Sequence, residues 1–281
     1  MYMSYIVTGE RIQEMCDIYL GEDADFNWNP VINKQKSKHV YLERIVSEFN
    51  NPYYVFCYTH QLHLLSKKIH FLKNKFILIT HNSDGQIEPT DIILYILKCD
   101  NLIRWYGQNV CFEHPKLFFI PIGLANSQWK HGNLSLFYNT EFIDSLKNKK
   151  KRIYFNFKVD TNKTKRQICY DKLKNNLEWL TTIEPEENIK RLAEYEFCIC
   201  PEGNGVDTHR LWECIYLKVV PIVIKSASTD ILKKNNIPLC ILDSWDSLDE
   251  TKLNYKDFDF TCVQLSVCNL QILQSCVFTE I

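Results

Sequence analysis

The sequence predicts an α/β protein built on parallel sheets, and three observations carry that expectation. Short apolar runs alternate along the chain with segments of helical period, the pattern of βαβ units. Right-handed crossovers then place helices on both faces of each sheet. The chain has 281 residues, enough for two domains of about 140 residues each. The stretch 197–225, FCICPEGNGVDTHRLWECIYLKVVPIVIK, reads as a strand, a glycine-bearing loop, a short helix and a second strand.

The N-terminal MYMSYIVTGERIQEM carries no basic leader followed by an apolar run, and no segment approaches about eighteen apolar residues. A soluble, cytoplasmic protein with no membrane span is expected. A helix is expected over 37–50, strands at 53–59, 75–81, 101–107 and 116–123, and helices at 60–73 and 89–98 between them. The basic, asparagine-containing stretch 147–152 is the expected boundary between domains 1–148 and 149–281. Beyond it, strands are expected at 152–157, 196–201, 219–224 and 239–242, with helices near 163–178, 186–195, 208–217 and 227–235. The segment 262–281 is rich in Leu, Val and Cys, too apolar for a solvated tail, and is expected to fold back on the body.

Lys and Arg number 33 against 34 Asp and Glu, a formal net charge of −1, so there is no global electrostatic case for nucleic acid or an anionic membrane. The basic runs 67–75 and 147–152 read as a helix end with its turn and as a solvated linker. Twelve cysteines are spread over the chain, several inside apolar runs (Cys57, Cys198, Cys200, Cys240), and read as buried free thiols of a reducing compartment. No CxxC occurs, and Cys198 and Cys200 are expected on opposite faces of their strand, so no structural zinc site is expected.

The chemistry concentrates after the apolar run 197–200. Pro201 ends the strand, and Gly203 and Gly205 are expected to let the loop turn sharply and bring backbone N–H groups near a ligand. Asp207 or Thr208 would cap the following helix, whose N-terminus has unpaired N–H groups and a positive dipole end suited to a diphosphate. Arg210 adds a fixed charge with a bidentate fork. Glu213 stands three residues after Arg210 and four after His209, so the three share one part of the helix surface. The bland alternative is an ordinary connection with a surface Arg–Glu pair; Glu202, Asn204, Asp207, His209 and Arg210 crowded around two glycines argue against it. GNGVDT lacks the third glycine of a dinucleotide fingerprint and no Lys-Ser/Thr pair follows, which argues against hydride transfer and nucleoside triphosphate hydrolysis.

PEGNGVDTHRLWECIYLKVVPIVI resembles the donor-site segment of exostosin-like glycosyltransferases: a Pro-x-Gly turn, then an Arg, a Glu three residues later, and a small apolar strand with Pro. ILITHNSDGQ (77–86) and FFIPIGLANSQWKHGN (118–133) are similar to segments of the compact viral and microbial members. The resemblance spans roughly 77–225. It implies the GT-B fold of two facing Rossmann-like domains, an inverting transferase, a UDP-sugar as co-substrate, a glycan acceptor, and no metal or other cofactor. Among compact members a xylosyl or other pentosyl donor is implied, with glucuronosyl and hexosyl donors open. The long stem and membrane anchor of animal exostosins have no counterpart here, so their polysaccharide substrates and Golgi location are not carried over.

In open α/β sheets ligands bind beyond the C-terminal ends of the strands. The polar loop 158–166, with a helix start at Asn162 or Thr164, is one such position, and it brings Asn156 and Arg166 to the donor set beside Glu202, Gly203, Asn204, Gly205, Asp207, Thr208, His209, Arg210 and Glu213. The loops HNSDG after 75–81 and ANSQWKHGN after 116–123 are others. Transfer needs a base for the acceptor hydroxyl and positive charge or N–H donors for the leaving diphosphate. Asp84 is the first candidate base and His81 the second, with Asp23 and Glu10 behind them; capping the Ser-Asp-Gly turn is the competing role for Asp84. Asp23, His60, Asn126, Trp129 and His131 are the acceptor-side candidates, Trp129 and His131 because an aromatic face beside a polar ring suits a sugar.

Asp23-Ala24-Asp25 and Asp257-Phe258-Asp259 match the D-x-D pattern of metal-dependent transferases but follow no clear buried strand, and are read as surface loops. His60 and His63 have helical spacing without a third ligand, so no metal is assigned. A non-catalytic nucleotide- or carbohydrate-binding module is the competing class, and a nucleotide-dependent epimerase a third. Nothing in the sequence fixes an oligomeric state.

Overall fold

The computed structural model describes residues 6–22, 38–42, 54–147 and 149–261. The chain divides into two compact units, one of Val7–Ile122 with Asn126–Gln128, the other holding Gly123–Ala125 and the chain from Trp129 onward. Each contains one parallel sheet, the α/β class the alternation predicts.

In the first unit, α1 (Gly9–Glu14) precedes six strands: β1 (Ile18–Gly21), β2 (His39–Tyr41), β3 (Tyr54–Tyr58), β4 (Phe76–His81), β5 (Leu102–Gly107) and β6 (Leu117–Phe119). They pair in parallel in the order β2-β1-β3-β4-β5-β6. Every residue of β3 and β4 is buried, so YVFCY and FILITH form runs with little polar–apolar alternation, as strands covered on both faces require. Among the described residues this unit also holds α2 (Leu62–Lys68) and α3 (Asp91–Leu97). The Thr90 side chain caps α3 by accepting from Ile93 N. The order reverses between β1 and β3, which makes the C-terminal end of this sheet a topological switch point.

Two expectations change here, and a third falls on residues outside those described. Of the helix expected over 37–50, residues His39–Tyr41 form β2, paired in register with Tyr19–Gly21; an aromatic and a β-branched residue favour the pleat, and 43–50 lie outside the described residues. The helix expected over 60–73 is a seven-residue α2 flanked by short 3-10 turns. The segment 262–281, expected to fold back, lies outside the described residues.

The second unit contains α4 (Thr140–Ser145), α5 (Lys163–Leu173), α6 (Pro185–Leu192), α7 (His209–Tyr216) and α8 (Ala227–Lys234). Its strands are β7 (Lys151–Tyr154), β8 (Tyr195–Ile199), β9 (Val220–Ile224) and β10 (Cys240–Leu242), parallel and side by side in chain order. α5 stops at Leu173, short of the expected 178, and asparagines follow at 175 and 176. α6 begins one residue earlier than expected because Pro185 occupies its first turn, where a missing N–H costs nothing. Phe155, Phe157, Leu173, Phe197, Ile199, Val220 and Ile222 form the core. Trp179 meets three rings edge-on, with centroids 4.9 Å from Phe155, 5.1 Å from Phe157 and 4.8 Å from Tyr170. That anchoring lets the next residue cover the chain just beyond β7: Leu180 N donates to Phe155 O at 3.1 Å and Leu180 O accepts from Asn156 Nδ2 at 2.6 Å.

No helix among the described residues is long and apolar enough to cross a membrane. The basic stretch 147–152 leads into β7, and Lys149 turns inward. Its Nζ donates to Ala193 O at 2.8 Å and Leu217 O at 2.7 Å, the cap carbonyls of α6 and α7. Burial pushes its pKa from 10.5 down to about 8. The folded state therefore holds this proton less tightly than the unfolded chain, and the Lys149 contribution to stability rises with pH between about 8 and 10.5. Urea unfolding of wild type and Lys149→Met across this range should show the difference in unfolding free energy climbing in favour of wild type, by at most about 1.4 kcal/mol per pH unit. A pH-independent difference would mean that the amine is not held as described.

Candidate functional site

In the second unit a pocket of about 660 Å³ opens where β7 and β8 end. Asn156, Phe157 and Lys158 from the β7 exit, Arg166 on α5, Arg210 and Glu213 on α7, and the start of α6 line it. Arg210 in the first turn of α7 donates through Nε to Glu213 Oε2 at 2.8 Å and through Nη1 to Asn156 O at 3.0 Å. Its guanidinium carbon stands 5.5 Å from the Tyr154 ring centroid. Tyr154 in turn donates its hydroxyl to Asn188 Oδ1 at 2.5 Å, joining β7 to α6. Burial works against the Arg210 charge, and Glu213 first among its neighbours outweighs it, so the pKa is raised.

Arg166 is buried, donating through Nε to Glu202 O and through Nη1 to Lys158 O, both at 2.8 Å. Burial lowers its pKa and the charge of Arg210 lowers it further. Two guanidiniums thus repel each other beside one pocket, an arrangement that an anion relieves. Lys158 adds an exposed ammonium on the same wall. The opposite side is acidic: Glu184, Glu186 and Glu187 line the pocket, with Lys190 2.9 Å from Glu186 and 2.8 Å from Glu187. Lys130 pairs with Glu184 at 2.5 Å, but both side chains are mostly exposed and the pair contributes little to stability.

Asn156, Arg166, Arg210, Glu213 and His131 from the sequence reading all line this pocket. Glu202, Gly203, Asn204, Gly205, Asp207, Thr208 and His209 do not; the first six form the loop before α7 and its N-cap, and His209 opens the helix. The Glu202 carboxylate pairs with Lys165, and its carbonyl holds Arg166. Gly203 O accepts from Asn162 Nδ2 at 2.8 Å, and Gly203 N donates to Gly205 O at 3.1 Å. Among the described glycines only Gly123 has positive φ, so Gly203 and Gly205 turn the loop without left-handed backbone. Gly203 answers to space: a Cβ there would stand 3.1 Å from Arg166 Nη2. The expected cap is also different. Asp207 Oδ1 accepts from Trp212 Nε1 at 2.6 Å, and Thr208 occupies the N-cap without a side-chain capping bond. His209 Nδ1 donates to Gly123 O at 2.8 Å, and its ring centroid lies 6.1 Å from that of His131. Trp129 is 53% exposed and nearly parallel to His131, with centroids 6.5 Å apart. Asn254 and Thr261 hold the D-x-D carboxylates of Asp257 and Asp259 in a surface loop.

Cys198 and Cys200 do not point apart. Residues i and i+2 of a strand share a face, and both sulfurs gather with that of Cys214. The nine described cysteines are free thiols. Tyr154 and Asn188 escaped the sequence reading, and Lys158 entered it only as part of a loop. The Glu184-Pro185 helix start was the one signal that could have drawn attention to α6.

In the first unit, His81, Glu10 and Asn126 belong to a polar network at the exit of the sheet. Glu10 N donates to Asn126 Oδ1 at 2.8 Å, and Glu10 Oε2 accepts from Ser127 N at 3.2 Å and Ser127 Oγ at 2.9 Å. Asn126 Nδ2 donates to Asn82 Oδ1 at 3.0 Å, Asn82 Nδ2 to Gln13 Oε1 at 2.9 Å, and Gln13 Nε2 to Tyr58 Oη at 3.0 Å. His81 is 1% exposed and donates through Nε2 to Pro121 O at 2.9 Å. Asp84 is exposed on the loop that follows, which Gln108 and Asn109 hold by donating to Ser83 O at 3.0 and 3.3 Å. His60 is exposed and meets Ser83 Oγ at 3.2 Å through Nδ1. Asp23 lies outside the described residues.

This network needs glycine at position 9, where a Cβ would stand 1.8 Å from Asn82 Oδ1 and 2.8 Å from His81 Nδ1. Gly9→Ala should destabilise the protein by about 1–3 kcal/mol. Asn82 has φ 57°, which glycine accepts, so adding Asn82→Gly should recover part of that loss in a thermal-unfolding double-mutant cycle. Strict additivity would refute the contact.

No protein-family model matches the chain, and no curated protein matches it significantly.

Proposed function

We propose that the protein is a GT-B glycosyltransferase that moves a sugar from a UDP-sugar to a hydroxyl of a glycan acceptor, with inversion and without a catalytic metal. The observation that carries this reading is the Arg210–Glu213 pair at the start of α7, facing a pocket of about 660 Å³ flanked by Arg166 and Lys158. A leaving nucleoside diphosphate needs concentrated positive charge, and the Arg210, Arg166 and Lys158 side chains that line the pocket support this reading. Glu213 is the acceptor for the ribose hydroxyls. Xylose or another pentose is the favoured donor sugar by resemblance alone.

Asp84 is the base we assign. It sits exposed on a braced loop, whereas His81 is buried with Nε2 committed to a carbonyl, so Asp84 is the better placed to meet an acceptor hydroxyl. Trp129 is an exposed apolar face against which an acceptor sugar can stack.

Three outcomes follow. Arg210→Ala should weaken UDP binding in calorimetry by about 1.5–3 kcal/mol, and Glu213→Ala should weaken it too; parental affinity in both variants would refute the pocket. Asp84→Asn should bind UDP normally yet lower transfer by roughly 10²–10⁴-fold, and transfer within a few-fold of wild type would eliminate Asp84 as the base. Turnover should need no added magnesium or manganese, and activity lost in EDTA and restored by manganese would contradict a mechanism without a catalytic metal.

A further inference from the structure

Cys198 at the end of β8, Cys200 just beyond it and Cys214 on α7 are 0%, 5% and 0% exposed. Their sulfurs all lie within 4.8 Å of one another, with Cys200 Sγ 3.8 Å from Cys214 Sγ. One metal ion with thiolate bonds of about 2.3 Å requires sulfurs about 4.0 Å apart when the ion lies in their plane, and about 3.8 Å apart at tetrahedral angles. At the 4.8 Å limit the three cysteines depart from those spacings by about 0.8 and about 1.0 Å, before any side chain moves. Isolated buried thiols are ordinary small apolar groups. Three converging from a strand end and a helix have the spacing of a ligand set, and sulfurs are soft donors that favour zinc or copper(I) over magnesium, calcium or manganese.

We propose that Cys198, Cys200 and Cys214 bind one thiophilic d¹⁰ cation, zinc or copper(I), in a buried structural site that ties β8 to α7. Each of the three S–H bonds is replaced by a metal–sulfur bond, and three protons leave to solvent per ion bound. The neighbouring Arg210 guanidinium offsets part of the negative charge left on the trithiolate. None of the three cysteines lines the pocket, so the ion touches no substrate; it fixes the helix that presents Arg210 and Glu213. The site stands independently of the glycosyl-transfer reading.

The test uses the full chain, reduced and stripped of metal under anaerobic conditions, then titrated separately with zinc and with copper(I). Native mass spectrometry gives stoichiometry and X-ray absorption gives the ligand shell. One ion per chain with a shell of three sulfurs, in either arm, is the expected result, and the tighter-binding arm identifies the ion. Cys198→Ser and Cys214→Ser should each weaken binding by more than the roughly 10–100-fold typical of changes outside the ligand shell. Cys111→Ser, outside the cluster, should leave binding intact. Should a cluster variant fail to fold, the sulfur count on wild type and Cys111→Ser still decides. No stoichiometric uptake in either arm, a shell rich in nitrogen or oxygen, or undiminished binding by folded Cys214→Ser would overturn the site.

Discussion

The second unit is organised around one requirement: the Arg210 guanidinium, largely withdrawn from water, must keep its partners. Glu213 supplies the countercharge and Asn156 O a fixed acceptor, so α7 and the exit of β7 are tied through a single side chain. Asn156 is fixed in turn by Leu180, which Trp179 anchors among Phe155, Phe157 and Tyr170. Tyr154 carries the linkage to α6 through Asn188. Removing either charge would leave the other partly buried without its partner, which costs more than the pair contributes. The charged wall is therefore held by hydrogen bonds from β7, α6 and α7 within the second unit.

The first unit solves a different problem. Its polar residues at the sheet exit are mostly amides, with one carboxylate, Glu10, held by Ser127, and they satisfy one another at hydrogen-bond distance. That closure depends on close approach of α1 to Asn82, which only glycine at position 9 permits. The loop with Asp84 rests on this floor and on Gln108 and Asn109, so an exposed carboxylate is carried on a braced backbone.

Much of this was legible in the sequence. The buried strands β3, β4, β8 and β9 stand out as apolar runs between helical segments, and their succession implies parallel pairing. α1, β1 and β2 were not legible: a six-residue helix beginning with glycine and strands of four and three residues fall below the length at which periodicity speaks. Arg210, Glu213, Arg166 and Asn156 were found because charged and amide groups just past apolar runs are conspicuous. Tyr154 and Asn188 were missed because their part depends on which elements become neighbours. The glycines at 203 and 205 invited a turn argument, yet 203 is explained by the room Arg166 needs. The cysteine cluster is not legible in the sequence because its third member comes from a helix, fourteen residues after Cys200, while Cys198 and Cys200 share one face of the strand end.

The central claim is that the Arg210–Glu213 wall is a nucleoside diphosphate site, and a crystal structure of the protein with UDP tests it most directly. The account predicts the diphosphate within hydrogen-bond distance of Arg210 or Arg166 at the N-terminal end of α7, with the ribose on Glu213. UDP bound elsewhere, or a pocket left without nucleotide at saturating UDP, would contradict it.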